Sequence, residues 1–432
     1  MAQIIPFRGY RYNPEIVGDI SAVVTQPYDR IGEKEQEIYY GRSPYNIVRI
    51  IKGKPQPGDD GENVYTRAAR FLSEWIEKGV LKRDSTPSFY AYHQEYTFNG
   101  ERLVRKGVIA LGKLEPEKVH AHERTLKGPK EDRLKLMRAT EANFGHIFML
   151  YSDPARRADA ALAGAIDGVP PTIAATDDFG NVHRVWRITD SGVISAVQDA
   201  LADKDLYIAD GHHRYETAVN FMRECLEKGW RPAAPESFDH RMMTLFNIDE
   251  PGMTIRPIHR LVHGIPDFDP AEFITRARED FEVVEHSDRA AMEEAVKQGK
   301  ARHTFGVYTG GKFYTFTLRD ESLMDRLIEG HSSDWKRLDV AILHAAILER
   351  LLGIDATALE EQRNITYTRD PDAAIEAVDS GAEQIFFLLN PTSPQEVIRV
   401  ADHGEKMPQK STDFYPKLLT GLVISKMEID KG

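Results

Sequence analysis

Apolar residues at Val64, Ala68, Phe71, Leu72, Trp75 and Ile76 fall on one face of a helix, and Gly79 marks where that helix stops. The period then changes to two. Tyr90, Tyr92, Gln94, Tyr96 and Phe98 alternate along a strand, Asn99 and Gly100 supply a favoured two-residue turn, and 102–111 returns as the partner strand. This aromatic row reads as a packing face rather than a base-stacking platform. Helical character follows over 131–143, and buried strands over 147–151 and 182–188. A short apolar strand over 206–209 runs straight into Gly211. Helical spacing resumes at once, with Ala218, Val219, Met222 and Leu226 on one face.

After one more strand, 242–248, the character changes at Glu250, Pro251 and Gly252, which predicts a domain over 1–250 and a second over 251–432. The second has its own core signals: a hairpin at Gly310 and Gly311, an apolar helix over 338–352, a buried strand over 385–389 and a helix over 393–401. Helices and strands alternate without an internal repeat. The expected fold class is α/β (mixed α+β).

Composition narrows the function classes. The 432 residues are 41% hydrophobic, enough for a large core, and the opening stretch has neither a basic nor an apolar leader-like region. With no apolar run long enough for a membrane span, a cytoplasmic protein without a membrane partner is expected. Sixty-eight acidic against 56 basic residues leave a net charge of −12. That balance argues against a nucleic-acid partner, whose affinity depends on basic side chains. The single cysteine, Cys225, allows no intramolecular disulfide and no multi-cysteine zinc site.

The chemistry is expected where strand, glycine turn and helix meet, at Asp210, Gly211, His212, His213 and Arg214. Backbone N–H groups in the first turn of a helix lack intrahelical acceptors and lie at the positive end of the helix dipole, so they favour an anion. Gly211 lets that anion approach, the two histidines and Arg214 add donors, and Thr217 lies one turn on. The segment reads as a phosphate-binding turn. Asp210 as a helix cap and Arg214 in a surface ion pair are the plainer alternative.

A second cluster comprises His120, His122, Glu123, Arg124 and Thr125, followed by Lys127, Lys130 and Arg133. In an extended segment His120 and His122 share one side and Glu123 takes the other. Phosphoryl transfer to a hydroxyl needs a carboxylate to take the proton and cations to hold the phosphates, so Glu123 is the candidate base. A polar loop leading into a helix is the alternative. Near the end, Lys410, Ser411 and Thr412 look like the close of a P-loop, but Gln409 stands where that motif needs glycine. The segment is therefore read as a structural loop or as a donor to phosphate or substrate.

These motifs carry a resemblance. Pro27, Tyr28 and Asp29, the block His122 to Thr125 with Arg133 and Leu134, Ala209 to Ala218, Met407 to Thr412, and Phe414 to Lys417 identify the chain as a member of the domain of unknown function 1015 family. The run Asp210 to Arg214 is similar to the phosphate-binding motif of the ParB/sulfiredoxin-like superfamily, in particular its free-serine kinase branch, where a His, Glu pair lies upstream and the glutamate is the base. His122 and Glu123 match that pair. Their separation from the motif, with Glu123 and Asp210 87 positions apart, departs from a compact kinase and implies an insertion. Sulfiredoxin's cysteine is replaced here by His212, and no helix-turn-helix reader of the ParB kind is legible.

The resemblance implies a ParB/sulfiredoxin-like nucleotide-binding core with an added α/β carboxyl-terminal region. It also implies a nucleotide-dependent kinase of a small hydroxylated substrate, with L-serine favoured and ATP or ADP as donor. Asp210 to Arg214 and Thr217 would bind the nucleotide phosphates, with Glu123 and His122 catalytic. Arg124, Thr125, Arg133, Lys410, Ser411 and Thr412 would serve the substrate. Magnesium is expected from the chemistry, with Asp210 as a direct or water-mediated contact. A metal-dependent phosphohydrolase using His120, His122, Asp210, His212 and His213, and a noncatalytic nucleotide sensor, are the alternatives. A homo-oligomer is compatible with all three.

Overall fold

The apolar runs of the first 250 residues assemble, in a computed structural model that describes residues 3–59, 63–122 and 127–432, into one nine-stranded mixed sheet. Its strands are β1 (Ile4–Ile5), β2 (Phe89–Phe98), β3 (Glu101–Lys113), β4 (Val119–Ala121), β5 (Ile147–Tyr151), β6 (Ile173–Thr176), β7 (Val182–Ile188), β8 (Leu206–Asp210) and β9 (His240–Asn247). They lie in the order β4-β8-β5-β9-β3-β2-β7-β6, with β1 paired to β3. The pairs β4 with β8 and β5 with β9 are parallel, and the other pairs are antiparallel. The fold is mixed α/β.

The β2–β3 hairpin closes as its turn residues require. Asn99 and Gly100 both take positive φ, 50° and 78°, which matches the strand twist of a two-residue hairpin. The aromatic row of β2 is more polar in use than its alternation suggests. Tyr90 donates to Asp84 at 2.7 Å and the Tyr92 hydroxyl pairs with His183 Nδ1 at 2.6 Å, so both rings are buried with their oxygens satisfied.

Helices cover the sheet. The periodic segment forms α1 (Val64–Glu77), started by Asn63, whose side chain accepts from Tyr65 and Thr66 N–H, and followed by Gly79 at φ 70°. Ala68, Leu72 and Trp75 of α1 are buried with Ile47, Val48, Ile50 and Ile51 in one apolar cluster. A second cluster takes side chains from α3 (Arg157–Ile166), α4 (Ser191–Leu201) and α5 (His212–Glu227). Helix α2 (Lys127–Thr140) begins earlier and ends earlier than the sequence pattern indicated. Glu141 turns at φ 49°, and Ala142–Asn143 leave the helix to pair with Ser425–Lys426. The long separation of Glu123 from Asp210 is occupied by β5 to β7 with α2, α3 and α4, and within it β6 and β7 extend the far edge of the sheet. Cys225 is buried in α5, its thiol pushed up to about 11 by burial.

The chain divides into two compact units, Met1–Met253 with Pro416–Gly432, and Thr254–Tyr415. The expectation that everything after 251 forms the second domain therefore needs correcting at its far end. Residues 416–432 return to the first unit because their apolar side chains find burial there: Leu418, Leu419, Leu422, Val423 and Ile424 are all buried. Ile424 and Tyr10 exchange backbone hydrogen bonds at 2.9 and 2.8 Å, as do Thr420 and Thr25 at 2.8 and 3.2 Å. The second unit is a six-stranded antiparallel sheet in the order Phe281–His286, Lys312–Leu318, Thr304–Thr309, Ile385–Leu388, His259–Val262, Ile365–Thr368. Its expected elements are present, the apolar helix being α-helical over Asp339–Ile342 and π-helical over Leu343–Glu349. Among the described residues no helix is long and apolar enough to cross a membrane.

If the returning segment belongs to the first unit's core, Ile424→Ala lowers the unfolding free energy of that unit by about 2–5 kcal/mol, the cost of a cavity at a fully buried aliphatic position. Denaturant unfolding followed through Trp75 fluorescence measures it.

Candidate functional site

Strand β8 sits between β4 and β5, and its register shifts between Ile208 and Asp210, which turns the strand end towards the helix that follows. Gly211 then takes φ 96° and ψ 25°, a conformation costly for any residue with a Cβ, and α5 starts at His212. Here Gly211 serves a close approach within the protein. A Cβ at that position would stand 3.0 Å from Arg214 Nη2, so the guanidinium folds back across the turn. Arg214 Nη2 donates to Asp210 Oδ2 at 2.9 Å, and Nη1 donates to the His146 carbonyl.

The other Asp210 oxygen, Oδ1, accepts from Lys417 Nζ at 3.1 Å, across 207 positions of chain. Burial alone would raise the pKa of Asp210. The nearby charges of Lys417 and Arg214 outweigh it and hold the carboxyl below the usual carboxylate range. Lys417 is held in turn by the backbone around it: its carbonyl accepts from Gln94 Nε2 at 2.9 Å, and the Pro416 carbonyl accepts from the buried Arg105. Because both oxygens of Asp210 face cations, the carboxylate does not fit the role of a direct magnesium ligand.

The histidines gather at the same corner. His122 follows β4, whose Ala121 pairs with Ile208, and its buried ring meets that of His212 edge to face at 4.6 Å. Burial pushes His122 down to about 4, against the pull of Asp210, so it is neutral at physiological pH. His120 stacks on Tyr207 at 4.8 Å, and His213 is half-buried, its pKa lowered chiefly by burial. Among the described residues no group of three or more His, Cys, Asp or Glu side chains could hold a metal ion, so the donor set expected for a metal-dependent hydrolase is not assembled. Glu123, Arg124 and Thr125 lie outside the described residues.

A cleft of about 490 Å³, counting solvent-open space, lies beside the turn. Arg214 and Thr217 line it, as does Arg133 from α2. Thr217 Oγ1 donates to the His213 carbonyl at 2.7 Å. Arg133 donates to Asp132 and to the Ile51 carbonyl and lies 4.2 Å from the Tyr28 ring centre, a cation–π stack. Sequence reasoning missed two members of this region. Arg241, near the start of β9, was invisible among ordinary strand residues. Lys417 was noticed only as part of a motif.

Lys410, Ser411 and Thr412 belong to the second unit. Ser411 Oγ donates to the Pro408 carbonyl at 2.6 Å, and the Lys410 carbonyl accepts from Arg260 at 2.9 Å, contacts that close a loop within that unit.

A family described as "Protein of unknown function (DUF1015)" matches residues 4–341. The chain belongs to that family. No curated protein matches it. Among solved structures, it is similar to a free serine kinase variant in complex with AMP, at 12% identity and a TM-score of 0.35, over 71% of this chain and 86% of that one. It is also similar to a free serine kinase in complex with AMP, at 14% identity and a TM-score of 0.34, over 71% and 86%. A third is SbnI with a C-terminal truncation from Staphylococcus aureus, at 10% identity and a TM-score of 0.33, over 72% and 85%.

The Lys417 bridge makes a pH-dependent prediction. A carboxyl whose folded pKa is depressed stabilises the fold above its unfolded value, about 3.9, and that contribution fades as pH falls through the folded value. Lys417→Met is expected to lose about 1–3 kcal/mol at neutral pH, with the difference from the parent shrinking once Asp210 is protonated in both. Thermal melts from neutral to strongly acidic pH read it out.

Proposed function

We propose that this protein is a nucleotide-dependent kinase of a small hydroxylated molecule, with free L-serine as the favoured acceptor, O-phosphoserine as product and serine metabolism as its setting. The observation that carries the reading is the convergence on one cleft of Arg214 and Thr217, from the first two turns of α5, with Arg133 and Arg241. Phosphoryl transfer is mostly positioning and charge stabilisation, and this arrangement supplies fixed cations and helix N–H groups on a rigid strand-to-helix corner. The motif similarity of Asp210 to Arg214, with His122 and Glu123 upstream, supports the same reading.

Each residue then has a defined task. Gly211, His212, His213 and Arg214 receive the phosphates of ATP or ADP, with Thr217 in the adjoining turn. Asp210 acts through Arg214 and Lys417 by fixing where their charges lie. Neutral His122, packed on His212, holds the start of the segment that carries Glu123. Glu123 takes the proton of the acceptor hydroxyl as its oxygen bonds to the terminal phosphorus. The phosphorus–oxygen bond to the departing nucleotide phosphate breaks in the same step. Arg124, Thr125 and Arg133 orient the acceptor. The site belongs to a soluble, cytoplasmic enzyme in this reading.

Incubation of the purified protein with a magnesium nucleotide salt, L-serine and either ATP or ADP should yield O-phosphoserine detectable by mass spectrometry. Glu123→Gln should lower kcat by about 10²–10⁴ while nucleotide affinity stays within a few-fold. Nucleotide binding without transfer to any hydroxylated acceptor would overturn the kinase reading in favour of sensing.

A further inference from the structure

Among the described residues, Arg241 is the cation of the cleft that no carboxylate answers. It is 3% exposed, and among the described residues it forms no ion pair. Its Nη2 donates to the Gly145 carbonyl at 2.9 Å, whereas among the described residues Nε and Nη1 meet no acceptor. Burial, reinforced by the charge of Arg214, pushes it down to about 9, still protonated at neutral pH. The neighbouring His146, whose Nδ1 pairs with Thr244 at 2.8 Å, is kept neutral by burial and so adds no further positive charge, but as a histidine it cannot supply a negative one. A buried guanidinium with two nitrogens unsatisfied destabilises a fold unless something else pairs with it.

The surroundings leave room for that partner. Gly145 faces the cleft between Arg214 and Thr420, and a Cβ there would stand 3.2 Å from Arg214 Nη1 and 3.3 Å from Thr420 Oγ1. The missing side chain keeps open the space that Arg241, Arg214 and the Thr420 hydroxyl border. We infer that Arg241 is the receptor for an anionic group of a small-molecule ligand, a carboxylate or a phosphate, held in this cleft beside the α5 corner. In the kinase reading, on which the choice of probe rests, a carboxylate here anchors the acceptor while the donor phosphates occupy the turn at Gly211. A phosphate here extends the nucleotide site.

Calorimetric titration of the full chain with L-serine, with L-serinamide, in which an uncharged amide replaces the carboxylate, and with inorganic phosphate tests the inference without requiring turnover, so failure of the kinase reading and failure of the receptor are separately visible. At least one of the two anionic probes should bind, with the amide and the variant Arg241→Met each weaker by at least about tenfold. Thermal melts should show that ligand-free Arg241→Met is no less stable than the parent, because an unanswered buried charge has been removed. Gly145→Ala narrows the cleft and leaves Arg241 in place, and should weaken the same binding. Binding of L-serine alone assigns a carboxylate, and binding of phosphate alone assigns a phosphate. Equal binding of serine and serinamide, undiminished binding by Arg241→Met, or no binding of either anion overturns the inference, as does loss of stability in Arg241→Met with ligand affinity intact.

Discussion

Asp210 joins two cations that reach it by different routes. Arg214 comes from one turn further along α5, a local contact set by helix geometry. Lys417 comes from the far end of the chain and depends on the final segment threading back into the first unit. The carboxylate thereby closes the site region: it holds Arg214 over Gly211, where only a glycine leaves space, and ties Lys417 to the same corner. Three supports keep the lysine in register, from Gln94 and Arg105 on the central hairpin and from the Thr25–Thr420 backbone pair. The sheet and the return segment thus specify one geometry, the condition for a preorganised site.

Charge is distributed unevenly around this corner. Arg214 and Lys417 share one carboxylate, Arg133 has Asp132, and Arg241 has none among the described residues. Burial keeps His122 and His146 neutral, so they contribute shape and hydrogen bonding rather than further positive charge. In a chain whose net charge is −12, a buried corner with surplus positive charge is a local property that average composition conceals. Such concentration within low-dielectric walls favours an anionic ligand far more than the same charges would on an open surface.

Much of the fold was legible because it rests on short-range rules. The α1 stripe, the Asn99, Gly100 hairpin, the strand, glycine and helix around Gly211, and the Gly310, Gly311 hairpin all follow from periodicity and turn chemistry within a few residues. The end of α2 was misplaced because Ala142 and Asn143 are drawn out to pair with Ser425 and Lys426, a partner no local window contains. For the same reason the last segment was assigned to the wrong unit. Arg241 carried no signal at all, since an arginine in a strand is ordinary until its neighbours are known to offer no counter-charge. Lys417 carried a faint one, in the Phe414 to Lys417 motif, but nothing tied it to Asp210.

The sequence by itself determined where the chain extends, turns and coils, and it placed two histidines and an arginine after a glycine at a helix start, because backbone preference and hydrophobic period act over a turn or a few residues. Tertiary structure alone decided that β8 lies between β4 and β5, that His122 meets His212, and that Lys417 reaches Asp210. It alone left Arg241 buried beside Arg214 and, among the described residues, unanswered by a carboxylate. Those outcomes depend on strand order and on the return of the final segment, which set distances between residues far apart in the chain. Burial and electrostatic balance follow from such distances and have no local code.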